Sequence, residues 1–337
     1  EQKMKNVSSK PASDSGSAPA SAVKVSFFNI QAKLATLLVV FAIVPLLIIY
    51  GFLNYKTGDM EESLGKQMQA IASQSMSTIE RNLFERYGDV QAFGLNLAAQ
   101  SPTYWGKDNK LAEAMNGYVT GYGIYKLTMM VSPEGKVLAV NSVDAAGKAL
   151  NTDFLYNQNF AEASWLRKAI AGDFTKSDSL SGTVVEDVSR NALASKIYGD
   201  DSFTMTFAAP VKNGAGKVTG VWVNFADFGL VEEITSTVYH ELKSEGMPNS
   251  EVTLLNKSGV VLVDYDPKAR GFDDLAGYKR DYNVISKLNL ATAGVGAAKI
   301  AITGKSGHMV ATHARKKIKQ AAGYAASNGA LGYPGVG

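Results

Sequence analysis

The spacing of apolar positions changes three times along the chain. Leu34–Tyr55 (LATLLVVFAIVPLLIIYGFLNY) contains no charged residue and is bracketed by Lys33 and Lys56. A helix rises about 1.5 Å per residue, and roughly 20 apolar residues cross a bilayer core, so this run is long enough to span. A buried core helix usually keeps a polar face, and this run has none. Pro45 sits mid-span, where neighbouring helices in a bilayer can satisfy the carbonyl that a proline leaves free. From Asp59 to about Ala99 the pattern becomes amphipathic. Met60, Leu64, Met68, Ile71, Ile79, Leu83, Val90, Phe93 and Leu97 keep mostly three- and four-residue spacing, and Glu61, Gln67, Ser73, Glu80, Arg81 and Asp89 fill the other faces. Ser101-Pro102 is the predicted end, because proline disfavours helical geometry at the residue before it. About 40 helical residues make a rod of about 60 Å, read here as a stalk continuous with the span.

Beyond the stalk the period drops to two. Leu127–Val131 and Val137–Val140 flank Ser132-Pro133-Glu134-Gly135 and predict a first hairpin. Phe203–Val211 and Val218–Phe225 flank Asn213-Gly214-Ala215-Gly216 and predict a second, with Phe203, Met205 and Phe207 on one face and Thr204 and Thr206 on the other. Val252–Leu255 and Val260–Val263 flank Asn256-Lys257-Ser258-Gly259 and predict a third. The first and third hairpins, TMMVSPEGKVLAV and TLLNKSGVVLV, form a weak internal repeat that suggests two related α/β modules in series. Leu230–Glu245 reads as a helix linking them.

Charge orients the span. Lys3, Lys5, Lys10, Lys24 and Lys33 precede it against Glu1 and Asp14, which puts the N-terminus in the cytoplasm and the body of the chain outside. An uncleaved anchor is preferred to a signal peptide, because Phe52–Tyr55 makes a poor cleavage site. Residues 1–29, rich in Ser, Ala, Pro and Lys, are expected to be a disordered cytoplasmic tail. With 34 basic against 31 acidic residues and no basic stripe interleaved with aromatics, nucleic acid is not an expected partner. The absence of cysteine excludes thiol catalysis, disulfides and Cys-based zinc sites.

Enzyme motifs fail by spacing. Gly304-Lys305-Ser306 lacks the glycine a phosphate-binding loop needs at 299, where Lys299 stands, and Gly294-Val295-Gly296 fails as a dinucleotide fingerprint at the same position. The Gly- and Ala-rich stretch 291–298 is read as a loop or a packed strand edge. His240, His308 and His313 form no HExxH motif. Asp264-Tyr265-Asp266 lacks the glycine and glutamate of a calcium loop and reads as a turn before Pro267. No enzyme activity, metal or cofactor is expected.

The order of the pieces carries a resemblance. An anchor, a long stalk, a hairpin ending near VLAVN, SWLRKAIAGDFTKSD, FTMTFAAPVKNGAGKVTGVWVNFADF, TLLNKSGVVLVDYDP and a closing GYAASNGALGYPGVG together resemble the double-Cache sensory domain of bacterial methyl-accepting chemotaxis proteins, over roughly residues 30–337. The resemblance implies an α/β (α+β) fold: a transmembrane helix and a long stalk helix, then two PAS-like Cache modules with antiparallel sheets. The implied division is 1–29 tail, 30–55 transmembrane helix, 56–102 stalk, 103–230 membrane-distal module and 231–337 truncated membrane-proximal module. Family members continue with a last strand, a second transmembrane helix, a HAMP linker and a methylated coiled coil. This sequence shows none of them, so it is expected to be the input half of a receptor, as a fragment or a truncated product.

The function so implied is a chemoreceptor input in a bacterial inner membrane, periplasmic in its sensory part and homodimeric. Double-Cache inputs also occur on sensor histidine kinases and cyclic-dinucleotide enzymes, and a membrane-anchored periplasmic enzyme or a scaffold are further readings. By the same resemblance a small ligand sits in the distal module, with Trp165 and Arg167 toward its carboxylate and Asp178 and Asp227 toward its amine. Arginine clamps a carboxylate bidentately and aspartate pairs with ammonium. The amino-acid-binding subfamily has an arginine–x–tryptophan–tyrosine run where this chain has Trp165-Leu166-Arg167. An amino acid, an organic acid and an amine therefore all stay open as ligand. The structural alternatives are a core Trp165, a solvated Arg167, a strand-terminating Asp178 and an Asp227 that caps the helix after it. Tyr198, Asp200 and Asp201 form a polar cluster before a strand. Arg315-Lys316-Lys317-Ile318-Lys319 is read as solvated or facing anionic headgroups.

Overall fold

The computed structural model describes residues 30–314, 316–333 and 335. The predicted tail, residues 1–29, lies outside them, as does Arg315 of the basic run. The chain divides into two compact units, Glu1–Gly58 and Asp59–Gly337. Helix α1 is Ile30–Gly94 and carries Pro45 in its interior. Within the first unit its large apolar side chains from Ile30 to Tyr55 are exposed. It is the one described helix long and apolar enough to cross a membrane.

The helix stops short of the expected Ser101. After Gly94 the Asn96 side chain accepts the Ala98 N–H at 2.9 Å and opens a separate short helix, α2 (Leu97–Gln100). An asparagine that offers the backbone such a partner competes with helix continuation. Leu97, placed by periodicity on the apolar stripe, is exposed as a result.

In the second unit α3 (Lys110–Tyr122) precedes β1 (Tyr125–Val131) and β2 (Val137–Val140). Then come α4 (Ser164–Ala171), β3 (Val184–Arg190), α5 (Ala192–Tyr198), β4 (Phe203–Lys212) and β5 (Val218–Asp227). The strands form one sheet in the order β2-β1-β5-β4-β3, antiparallel at every step. The first two predicted hairpins are present, with β1 beginning at Tyr125 and β5 running on to Asp227 because these ends pair with each other, Tyr125 opposite Ala226.

Strand alternation gives the sheet two apolar faces. Tyr87, Val90 and Phe93 of α1 pack with Phe203, Phe207 and Trp222 on one face, and Phe93 stacks on Tyr118 of α3 at 3.9 Å between ring centroids. The other face carries Leu127, Met129, Val223 and Phe225 under Trp165 and Leu166 of α4. Each fully buried side chain of this size stabilises by about 1.5–3 kcal/mol, so both faces are fixed against a slip in register. The predicted split of β4 holds: Phe203, Met205 and Phe207 lie in the α1-side core.

The linking helix is α6 (Gly229–Ser244). After it come β6 (Val252–Leu255), β7 (Val261–Tyr265), α7 (Pro267–Arg270), α8 (Gly296–Ala301), β8 (Gly307–Thr312) and β9 (Lys319–Tyr324). Here the strands form two separate hairpins, β6-β7 and β8-β9. The stretch 291–298, expected as a loop or strand edge, is a turn that enters α8. Asp264 and Tyr265 belong to β7 and Asp266 caps α7, its Oδ1 accepting the Ala269 N–H at 3.1 Å.

Candidate ligand-binding site

The site is built on the α4 face of the five-stranded sheet. Trp165 enters it from the first turn of α4 and is 6 % exposed. Its ring stands 6.1 Å from that of Phe160 and 6.4 Å, edge-on, from that of Phe225 in β5. Asp227 lies two residues beyond Phe225 and so projects from the same face. Its Oδ1 accepts the N–H of Gly229, the first residue of α6, at 3.0 Å, although Phe228 and not Asp227 is the N-cap position, and its side chain remains 35 % exposed.

Lys126 reaches this corner from β1. The β1–β5 register shifts between Tyr125 and Leu127, and such an irregularity re-aims the extra side chain. Its Nζ pairs with Asp200, stands 3.8 Å from Asp227 Oδ2 and lies 4.6 Å above the Tyr198 ring. The Tyr198 hydroxyl donates to the Lys126 carbonyl at 2.7 Å. Burial pushes the Tyr198 hydroxyl's pKa up, and the negative charges of Asp144, Asp200 and Asp227 raise it further. Burial works against the charge of Asp200, but hydrogen bonds from Lys126 and Ser202 outweigh it and hold the carboxyl below its ordinary value. Asp144 is locked in its own turn, accepting the Ala146 and Lys148 N–H groups at 2.9 and 2.8 Å. Asp200 and Asp227 thus both face the Lys126 ammonium, which lies over the Tyr198 ring.

Of the four residues put forward from the sequence, Trp165 and Asp227 share this face. Arg167 is exposed on α4, with its guanidinium on Glu162. Asp178 is exposed in the loop between α4 and β3. That loop is fastened elsewhere, by the Tyr87 hydroxyl to the Thr175 carbonyl at 2.6 Å and by the Ser177 hydroxyl to the Gly332 carbonyl at 2.5 Å. Lys126 and Asp144 were not singled out beforehand, and Tyr198 and Asp200 only as a polar cluster. The available signal was Lys126 itself, a lone charge entering an otherwise apolar strand.

A competing polar cavity of about 660 Å³ lies among Asp264, Asp266, Arg270, Arg280 and Lys316. Its charges are matched internally: Arg270 bonds Asp264 at 2.7 Å, and Lys316 pairs with both Glu251 and Asp266. Lys316 and Lys319 were expected to be solvated or to face headgroups. Both are exposed, as expected for a solvated run, and both are also ion-paired, Lys319 with Glu61 of α1.

No family model matches the sequence, and a search of curated proteins finds no match. Solved structures do match. The ligand-binding domain of the Pseudomonas aeruginosa PAO1 amino acid chemoreceptor PctC, in complex with GABA, is similar with a TM-score of 0.51 and 16 % identity, over 81 % of this chain and 95 % of that one. The extracellular domain of the histidine kinase vpHK1S-Z8 is similar with a TM-score of 0.52 and 12 % identity, over 75 % and 84 %. The periplasmic sensory domain of the Campylobacter jejuni chemoreceptor Tlp1 has a TM-score of 0.48 and 14 % identity, over 79 % and 90 %. At these identities the likeness is one of fold. The chain has the mixed α/β fold of Cache-type sensory domains, as the order of its sequence elements implied.

Proposed function

We propose that this chain is the ligand-binding input domain of a membrane-anchored sensory receptor, a chemoreceptor in the first instance, and that it recognises a small solute through a protonated amine. The observation that carries this reading is the pair Asp200 and Asp227, both facing the Lys126 ammonium where it lies over the Tyr198 ring. Lys126 sits against Asp200 and over the Tyr198 ring, so the corner already accommodates one primary ammonium. Asp227 is held more loosely, at 3.8 Å, and keeps acceptor capacity for a second. Trp165 and Phe225 are packed into the core of this face, so Trp165 takes the core role rather than contacting the solute. Arg167 would reach a carboxylate only by leaving Glu162, and Asp178 has no part in this reading.

The PctC structure supports the choice of chemistry, because GABA carries both an ammonium and a carboxylate. The histidine-kinase neighbour keeps a kinase output as a second reading for whatever the domain drives. In this proposal the domain is extracytoplasmic and dimeric, the span is the apolar part of α1, and ligand binding favours one of two packings of paired stalk helices. A ligand moves such an equilibrium only by its difference in affinity for the two states.

The test is thermal unfolding of the full chain in lipid nanodiscs against amines, amino acids, organic acids and purines. A ligand at 100-fold its dissociation constant stabilises by about 2.7 kcal/mol. Amine-bearing solutes should raise the midpoint, and D227N should abolish the rise. A rise produced by organic acids lacking an amine, and unaffected by D227N, would overturn the proposal.

A further inference from the structure

Lys126 is the one charged residue of β1, and the strand is distorted at its position. Side chains alternate across a strand, so Tyr125 and Leu127 would share one face and Lys126 would stand on the other. They do not. Leu127 packs in the core under α4, whereas Tyr125 packs in the core on the α1 side, where its hydroxyl donates to Asp89 at 2.5 Å. The change of side happens across Lys126, the extra residue between the pairs Tyr125–Ala226 and Leu127–Phe225. The backbone around it is fixed. Asp227 N–H donates to the Ile124 carbonyl at 2.8 Å, and the Tyr198 hydroxyl donates to the Lys126 carbonyl at 2.7 Å. The lysine stem is therefore anchored at its root, and its side chain is 15 % exposed.

The two carboxylates that its ammonium meets are unequally used. Asp200 takes Lys126 on Oδ2 and the Ser202 hydroxyl, at 2.5 Å, on Oδ1, so both of its oxygens are engaged. Asp227 holds the Gly229 N–H on Oδ1, while its Oδ2 stands 3.8 Å from the Lys126 Nζ, too far for a hydrogen bond. Two carboxylates and one ammonium leave the trio with a single net negative charge. A solute ammonium bonded to Asp227 Oδ2 at about 2.8 Å would lie within about 7 Å of the lysine ammonium. That is inside a Debye length, so salt does not remove the repulsion between them.

We infer that Lys126 is the specificity-determining residue of this corner: its ammonium fills the first of two cation places, so the corner takes a solute with one ammonium and turns away a diamine. The inference rests on the amine reading above and adds a selection to it. Two carboxylates without the lysine would favour a dication, because each added positive charge is attracted by both. With the lysine in place, the second ammonium of a diamine finds Asp200 already paired and another cation over the Tyr198 ring.

The probes are butylamine and 1,4-diaminobutane, which share the four-carbon stem of lysine and differ by one ammonium. Each is titrated into the full chain in nanodiscs at constant ionic strength, and half-saturation is read from the midpoint of thermal unfolding. Wild type should bind butylamine at least about tenfold more tightly than the diamine. K126M keeps an apolar stem without the charged nitrogen and should prefer the diamine by at least about tenfold, whereas K126R keeps the charge and should retain the wild-type order. The wild-type ratio does not depend on how either variant folds. A wild type that prefers the diamine overturns the inference. So does a K126M that keeps the wild-type order, which would make Lys126 a structural ion pair and no more. If butylamine binding is lost in D227N, either of those results leaves the amine reading standing. Binding of neither probe to wild type would overturn both.

Discussion

At the residue scale the most consequential side chain outside the proposed site is Arg280. Its guanidinium meets Glu232 of α6 twice, at 2.6 and 2.8 Å, donates to the Asp201 carbonyl at 2.6 Å, and lies 5.4 Å over the Phe203 ring. It thereby ties the linking helix to the start of β4. Glu232 is 4 % exposed, and burial holds its carboxyl above the ordinary value despite Arg280. Replacing Arg280 by methionine leaves that carboxylate buried without its partner and should cost about 3–5 kcal/mol in urea unfolding, whereas R280M combined with E232L should recover most of the loss. The pH dependence has a definite sign. A carboxyl whose folded pKa is raised contributes stability that is present below the unfolded value and lost as pH rises through the folded one. The R280M defect should therefore shrink as pH is lowered from 7 toward 5, where Glu232 takes up a proton. A defect that stays constant over that range would mean that the pair is not what holds this junction.

At the element scale β9 depends on a backbone contact with α1. A Cβ at Gly323 would overlap the backbone of Met68 and Gln69, and backbone cannot swing aside as a flexible side chain does. G323A should destabilise by about 1–3 kcal/mol and speed amide exchange in β8 and β9 more than in β1–β5. Uniform acceleration across both modules would contradict that placement. The elements also separate what was legible in the sequence from what was not. All three hairpins and the linking helix could be read because turn chemistry and two-residue alternation are local signals. The end of α1 was misplaced because the decisive group, Asn96, acts through its side chain, which the apolar periodicity of Leu97 does not report. The start of α8 falls in the stretch 291–298, which reads as a loop or a packed strand edge because its small residues carry no stripe. At the site, Trp165 and Asp227 were reached through the resemblance and do share a face. Lys126 and Asp144 carry no local signal of this site, and Asp200 reads only as part of a polar cluster with Tyr198 and Asp201, because Lys126 meets Asp200 and Asp227 only after β1 and β5 pair, an encounter between residues far apart in the chain.

At the scale of the whole molecule, the five-stranded sheet is buried on both faces and presents Asp200 and Asp227 beside Lys126 near the C-terminal end of β5. The strands after α6 form two separate hairpins, with a cavity of about 600 Å³ lined by residues of β6, β9 and α1. In the proposed reading, recognition takes place at the Asp227 corner of the five-stranded sheet. The central claim is that recognition runs through an amine. It is tested most directly by isothermal titration of the full chain in nanodiscs with a matched pair, a stabilising amino acid or amine from the panel and its N-acetyl derivative, each with wild type and D227N. Saturable binding of the free amine is expected, with none of the acetylated form, and affinity at least about tenfold weaker in D227N, a difference of about 1.4 kcal/mol or more. Binding of the acetylated form with equal affinity, indifferent to Asp227, would contradict it.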